Sequence, residues 1–248
     1  MSILTDRDLQ IISAFEEIIV SFSGGKDSLS CLSWALETGK RVRAILGDTM
    51  NEPPETPDYC RYVEQETGIP IEVYSRQEHN FFDIVRHRGM WPIPGRCLVS
   101  STVKRDDFRW YLESTNTPQS ALIILGHRRS ESAMRAKLVD FAPISRSGRA
   151  VYRPILDWSI DDVFSFLEVQ GLVAHPAYGK GRKRVGCVWC VNSDPDDLVR
   201  DEEIYPERCA QLRELRASIG LTSIPAGVSQ GNLFDEVPLC KYESVHCE

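Results

Sequence analysis

The chain has 248 residues, 42% of them hydrophobic, with 29 basic and 36 acidic side chains for a net charge of −7. That size buries a substantial core and suits one α/β domain with an appendage, while the acidic balance argues against nonspecific coating of nucleic acid and leaves room for a local basic surface. No apolar run is long enough for a bilayer, residues 1–14 lack the basic-then-apolar order of a secretory signal, and eight cysteines are too sparse for a disulfide scaffold, so a cytoplasmic, membrane-free protein is expected.

Residues 6–15 read as a helix with Leu9, Ile12 and Phe15 on one apolar face. Ile18, Ile19 and Val20 suit a buried strand, and Leu29, Leu32, Trp34 and Leu36 line a following helix. Between them stands Ser23-Gly24-Gly25-Lys26-Asp27-Ser28. Its glycines permit close backbone approach, so N–H groups at the positive end of a helix can converge on a phosphate, with the Lys26 charge and the Ser23 and Ser28 hydroxyls beside them. The loop is not a Walker A sequence, because Asp27 follows the lysine where Ser or Thr is required.

A strand over 42–46 closes a right-handed β-α-β unit and delivers Asp48 and Thr49 to its carboxyl end, where open parallel sheets bind ligands. A Pro-initiated helix to Thr67, a strand over 69–74 and a helix over 81–88 extend the alternation. Cys97 opens a helical segment containing Lys104 and Arg105, and residues 121–125 form another apolar strand. Gly126 follows, and Arg128, Arg129, Arg135, Lys137, Arg146, Arg149 and Arg153 outnumber Glu131 and Asp140 there, so this stretch is expected to hold a local anion site. Ser159 is the expected N-cap of a helix with Asp161 and Asp162 in its first turn. His175 reads as a loop hydrogen-bonding residue, and Trp158 as packing.

Cys187 and Cys190 form a Cys-x-x-Cys pair with Arg182, Lys183 and Arg184 next to them, a neighbourhood that favours thiolate. Such a pair suits a metal, a cluster or a redox couple; Cys97 and Cys209 are the partners expected to complete a four-sulfur site, with Cys240 or a non-protein ligand as alternatives to Cys209. Cys31 and Cys60 lie within expected helices and read as packed thiols. Residues 221–248 are expected to form an irregular tail. A nucleotide-binding unit over 1–158 and a cysteine-containing region over 159–248 are the expected divisions of one compact α/β fold, with a parallel sheet and helices on both faces.

The 23–28 loop resembles the pyrophosphate loop of the adenine nucleotide α-hydrolase (PP-loop) superfamily. Asp48-Thr49-Met50-Asn51-Glu52-Pro53-Pro54-Glu55-Thr56, the Gly126-to-Arg135 stretch and Arg153-Pro154-Ile155 through Asp157-Trp158-Ser159 are similar to elements of its phosphoadenosine phosphosulfate reductase branch. The resemblance implies ATP or a sulfonucleotide as ligand, with magnesium. Lys26, Asp27, Arg128 and Arg129 are then expected to act in catalysis, Asp48, Thr49, Gly126 and Arg135 to line the nucleotide, and Glu55 to fix its loop. It also favours a [4Fe–4S] cluster on the cysteines, with zinc or a metal-free redox pair as alternatives. Reductases of the branch carry their nucleophile in a C-terminal Glu-Cys-Gly-Leu-His motif, where this sequence reads Ser244-Val245-His246-Cys247-Glu248. In organisation the chain is similar to ATP pyrophosphatases of DNA phosphorothioation systems, which implies a cysteine desulfurase as sulfur donor and companion proteins. DNA phosphate, a tRNA base and a small molecule all stand as acceptors at this stage. Sulfonucleotide reduction and a non-catalytic nucleotide-sensing module are the competing readings.

Overall fold

A computed structural model describes residues 3–95 and 97–221. Helix α1 (Asp6–Ile12) starts at a reciprocal cap between Thr5 and Asp8, and ends before the Phe15 that the periodicity included. Strand β1 (Glu17–Phe22), helix α2 (Lys26–Leu36) and strand β2 (Arg41–Gly47) form the expected first β-α-β unit. Helix α3 (Thr56–Thr67), strand β3 (Ile71–Tyr74), helix α4 (Phe81–Arg88) and the short helix α5 (Leu98–Ser101) follow. A π-helical stretch, Thr102–Asp107, joins α5 to helix α6 (Phe108–Ser114). Strands β4 (Leu122–Ile124), β5 (Phe141–Ala142) and β6 (Val151–Tyr152) complete the sheet. Then come helices α7 (Ile160–Val169), capped by Ser159 as its sequence implies, α8 (Pro176–Gly179), α9 (Pro195–Ile204) and α10 (Pro206–Ser218).

The six strands lie in the order β3-β2-β1-β4-β6-β5. All neighbours are parallel except β5 with β6, and the register places Val20 of β1 between Ala44 of β2 and Ile124 of β4. Because side chains alternate across a strand, the sheet builds two cores. Ile18, Val20 and Phe22 pack on one side with Leu29 and Leu32 of α2, Val63 of α3, and Val163 and Leu167 of α7. Ile19 faces the other side with Ile84 of α4, Val103, Leu112 of α6, Val188, Trp189, and Leu212 and Leu215 of α10. Residues on both sides of position 158 therefore contribute to each core, and the architecture is the expected α/β sheet with helices on both faces.

The parallel arrangement sends the segments after β1, β2, β4 and β6 to one edge of the sheet. There the 23–28 loop, the 48–55 loop, the 125–129 segment and Arg153 meet, and the site forms. Among the described residues no helix is long and apolar enough to cross a membrane. The expected tail beyond Leu221, with Cys240 and Cys247, lies outside the described residues.

Candidate active site

The loop after β1 turns at Gly24, whose φ of +76° an L side chain rarely adopts, and Gly25 caps α2. The Ser28 hydroxyl donates to the Gly25 carbonyl at 2.9 Å and accepts from the Ser23 N–H at 3.1 Å, which ties both ends of the loop to the first turn of the helix. Asp27 is the centre of charge. Its carboxylate takes Lys26 Nζ on one oxygen at 2.8 Å and Arg128 Nε on the other at 2.6 Å, with both cationic side chains nearly enclosed. Charge-assisted bonds of this length in a partly dry setting orient both cations at the end of α2, where the helix dipole also favours an anion. Gly126 lets the strands close on this turn. A Cβ there would stand 2.8 Å from the Asp27 carbonyl, so only glycine lets the chain leaving β4 pass against α2.

The basic residues divide into three groups. Arg128 joins the phosphate loop and donates to the Ser130 hydroxyl at 2.9 Å, while Glu131 accepts from its backbone N–H. Arg135 pairs with Glu131, and Arg153 reaches His127 Nδ1 at 3.5 Å and the Val139 carbonyl at 3.0 Å. Burial first, and then Arg135 and Arg153, push the His127 pKa down to about 3, so its imidazole is neutral across the physiological range. Arg129, expected beside Arg128, instead braces the following segment, donating to Asp157 at 2.6 Å and to the carbonyls of Ala136 and Leu138. Arg146 and Arg149 precede β6 and so stand toward the opposite edge of the sheet; Arg149 is buried and donates to the carbonyls of Pro118 and Thr117. The single anion site expected from the charge count is thus narrower than the run of arginines.

A second centre adjoins the 48–55 loop. Asp48 accepts from Met50 N–H at 2.7 Å, and Glu52 receives the Thr49 N–H and hydroxyl at 3.1 and 2.8 Å. The 186–190 knuckle docks on this loop through Val188 N–H to the Asn51 carbonyl at 2.8 Å, Asn51 Nδ2 to the Val188 carbonyl at 2.9 Å, and a 3.5 Å approach of the Thr49 hydroxyl to Cys187 Sγ. Beneath the knuckle lies a fully buried ion pair, Arg182 Nε to Asp201 at 3.0 Å. The same guanidinium donates to the Gly186 and Cys187 carbonyls, and Asp201 accepts from the Trp189 N–H at 2.8 Å. Glu55 caps the arrangement from the other side, accepting from the Tyr205 hydroxyl at 2.7 Å and pairing with Lys180 at 2.9 Å. Burial works to raise its pKa, but those two bonds outweigh it and leave the carboxyl below the usual range.

The sequence model of the phosphoadenosine phosphosulfate reductase domain matches residues 17–193, which takes in the phosphate loop, the 48–55 loop and both knuckle cysteines. The chain belongs to that family. A 37.8 kDa protein of Escherichia phage 186 is 26% identical over 79% of this chain and 73% of its own length. The phosphoadenosine 5'-phosphosulfate reductase of Yersinia enterocolitica is 26% identical over 68% of each chain. The U34-tRNA thiolase NcsA from Methanococcus maripaludis, solved with its [4Fe–4S] cluster, shares the fold at a TM-score of 0.50 and 16% identity, covering 88% of this chain and 72% of that one. Across the first three relatives the chain spans between 39% and 73% of their own lengths.

In this phosphoadenosine phosphosulfate reductase domain, Cys97 and Cys187 each lie within electrostatic range of Cys190. Cys209 does not join them. It is fully buried on α10, and its Sγ donates to the Asp201 carbonyl at 3.3 Å, so its bond and its packing are those of a core residue. Among the described residues no three His, Cys, Asp or Glu side chains group closely enough to hold a metal ion. Cysteine thiols are donors that both zinc and a sulfide-bridged iron cluster accept. The cations expected to favour thiolate are engaged elsewhere: Arg182 with Asp201, Lys183 with Asp194 and Asp196, Arg184 with the Asn192 carbonyl. Lys104 takes that part instead. Burial opposes its charge, yet Cys187, Glu52 and Cys190 together raise its pKa above that of an ordinary lysine. Burial likewise pushes the Cys187 thiol up to about 12, with Lys104 the chief opposing influence. Glu52 and Lys104 are site residues to which the sequence assigned no role; they are separated by 52 positions, and nothing local announces their 3.9 Å approach.

Proposed function

We propose that the protein is a PP-loop ATP pyrophosphatase that adenylates a nucleic-acid acceptor, with DNA backbone phosphate as the favoured group, for sulfur insertion. The observation that supports this reading is the docking of the Cys187–Cys190 knuckle on the 48–55 loop, which brings candidate sulfur-handling thiols to the loop that follows β2. In the proposed step an acceptor oxygen attacks the α-phosphorus of ATP, the new P–O bond forms as the bond to pyrophosphate breaks, and pyrophosphate leaves with the electron pair. Lys26, Arg128 and the N–H groups at the start of α2 stabilise the charge gathering on that leaving group. Asp27 orients the two cations, and Asp48 is the carboxylate at this edge suited to magnesium. Thr49 and Asn51 hold the knuckle against the nucleotide edge. A cluster held by Cys97, Cys187 and Cys190 would supply the sulfur-handling chemistry, with a cysteine desulfurase as the source of sulfur and companion proteins presenting the acceptor.

The names of the reductase relatives favour a second reading, reduction of a sulfonucleotide at the same loop. One experiment separates the two. Anaerobically purified protein is offered ATP with magnesium and DNA, and in parallel a sulfonucleotide with a thiol reductant. Pyrophosphate and adenylated DNA from the first mixture, with AMP released once added sulfide displaces it from the DNA, and all abolished by Lys26→Ala, are the expected result; sulfite from the second with no ATP cleavage replaces the proposal by the reductase. Iron and sulfide are measured on the same preparations. Cys187→Ser is expected to lose both, whereas Cys209→Ser retains them.

A further inference from the structure

The short helix α8 lies over the phosphate loop. Tyr178 accepts a hydrogen bond from the Lys26 backbone N–H at 3.1 Å, and Lys26 Nζ stands 5.5 Å from the centre of its ring. Both glycines of the loop lie against the 175–185 segment. A Cβ on Gly25 would meet the Tyr178 hydroxyl at 3.5 Å and Val185 at 3.8 Å, and one on Gly24 would meet His175 at 3.7 Å and Val185 at 3.8 Å. These are ordinary contact distances, so the 175–185 segment packs directly against the glycine pair.

Lys26 is the first residue of α2, so its N–H has no partner within the helix and is one of the donors a bound phosphate uses. One N–H serves one strong acceptor well. A phosphate oxygen that takes this donor takes it from Tyr178. The displaced tyrosine is not isolated from the thiols: its carbonyl accepts from Gly181 N–H at 2.9 Å, the Ala177 carbonyl accepts from Arg182 N–H at 3.0 Å, and the Arg182 guanidinium holds the Gly186 and Cys187 carbonyls. A continuous set of hydrogen bonds runs from the phosphate loop through α8 to the knuckle.

We propose that Tyr178 is a positioning residue of the nucleotide site whose hydroxyl competes with a phosphate oxygen for the Lys26 N–H, so that phosphate binding is coupled to the placement of the Cys187–Cys190 knuckle. The inference rests on the reading that the 23–28 loop binds a nucleotide phosphate. It goes beyond that reading by assigning the reporter of occupancy and the route by which the thiol locus responds. Coupling of this kind requires an element whose position both sites bias, and α8 touches the phosphate loop directly and the knuckle through Arg182.

The test uses the full chain, purified anaerobically, with inorganic pyrophosphate and with ATP as probes. Affinity is measured by calorimetry, and amide hydrogen exchange is followed over residues 178–190 by mass spectrometry. Saturation with pyrophosphate is expected to raise exchange over 178–190 in the unmodified protein. Tyr178→Phe keeps the ring and removes the hydroxyl; it is expected to bind pyrophosphate about fivefold tighter, the effect of one ordinary hydrogen bond no longer competed for, and to show the raised exchange before any ligand is added. Pyrophosphate that binds the unmodified protein while leaving exchange over 178–190 unchanged or lowered overturns the coupling and spares the nucleotide reading. Unchanged or weaker binding by Tyr178→Phe overturns the competition. Failure of both pyrophosphate and ATP to bind at all overturns this inference together with the nucleotide reading beneath it.

Discussion

Asp27 carries two cations, and the residues flanking it divide sharply by what they hold. Arg128 gives Asp27 a 2.6 Å bond from a nearly enclosed guanidinium, whereas Arg129 spends its donors on Asp157 and the carbonyls of the next segment. Arg128→Ala is therefore expected to weaken ATP binding about tenfold or more, since a hydrogen bond to a charged group contributes about 1.5–3 kcal/mol. Arg129→Ala should leave affinity within about threefold and instead lower the melting temperature by about 2–4 °C, the equivalent of about 1 kcal/mol in a chain of this size. Calorimetric titration and thermal denaturation of the two variants side by side decide the matter; equal losses of affinity would return Arg129 to the phosphate site.

At the scale of elements, the 186–190 knuckle is shaped by groups that lie outside it. Trp189 has a φ of +53°, a conformation uncommon for a large side chain, and its N–H is held by Asp201 of α9. The carboxyl of Asp201 is pushed up to about 6, chiefly by burial, with Arg182 opposing. Removing it leaves the Arg182 guanidinium buried without its counter-ion. Asp201→Ala is accordingly expected to cost about 3–5 kcal/mol in urea unfolding, and Asp201→Asn less, because the amide oxygen still accepts from Trp189. A loss under about 1 kcal/mol in Asp201→Ala would mean that the knuckle holds its shape without the pair. Cys209 belongs to the same construction, since its thiol donates to the Asp201 carbonyl and its side chain packs with α10 in the second core.

Across the whole molecule, His175 joins elements distant in sequence: Nε2 lies 3.2 Å from the Thr56 hydroxyl of α3, Nδ1 accepts from Ala177 N–H of α8, and the ring meets Tyr59 edge-on at 4.7 Å. Its pKa is pushed down to about 4 by burial, helped by Arg182 and Lys180 and opposed by Glu55. A histidine whose folded pKa lies below its unfolded value lets the unfolded chain bind the extra proton, so the stability it contributes is complete above pH 6.5 and declines as the pH falls toward 4. The decline amounts to about 1 kcal/mol by pH 5.5. His175→Asn should lower stability at neutral pH and remove this component of the acid sensitivity, read as a difference in unfolding free energy between the variant and the unmodified protein that narrows from pH 7 to pH 5. A difference independent of pH would assign His175 a packing role only.

Much of this protein follows from local order in the chain. The β-branched 18–20 run, the 23–28 loop, the Ser159 cap and the α2 periodicity rest on contacts within a few residues, and the sheet edge that receives the ligand follows from their alternation. The two-residue strands β5 and β6 escaped that reading because neither is long enough to show a period, and their pairing is a tertiary contact. The family and the phosphate loop were legible for the same local reason. Tertiary structure alone decided which charges belong to the site and which to its scaffold. Asp27 meets Arg128 across 101 positions, Thr49 meets Cys187 across 138, and Lys26 meets Tyr178 across 152. Arg128 and Arg129 are adjacent in sequence and alike in chemistry, yet the chain turn between β4 and the Asp157 segment sends one inward and the other to a row of carbonyls. Cys209 was a plausible ligand by type, and only the packing of α10 against α9 consigned its thiol to the core. Spacing along a chain determines a periodicity; which side chain receives a given charge or thiol is set by where distant segments close upon one another.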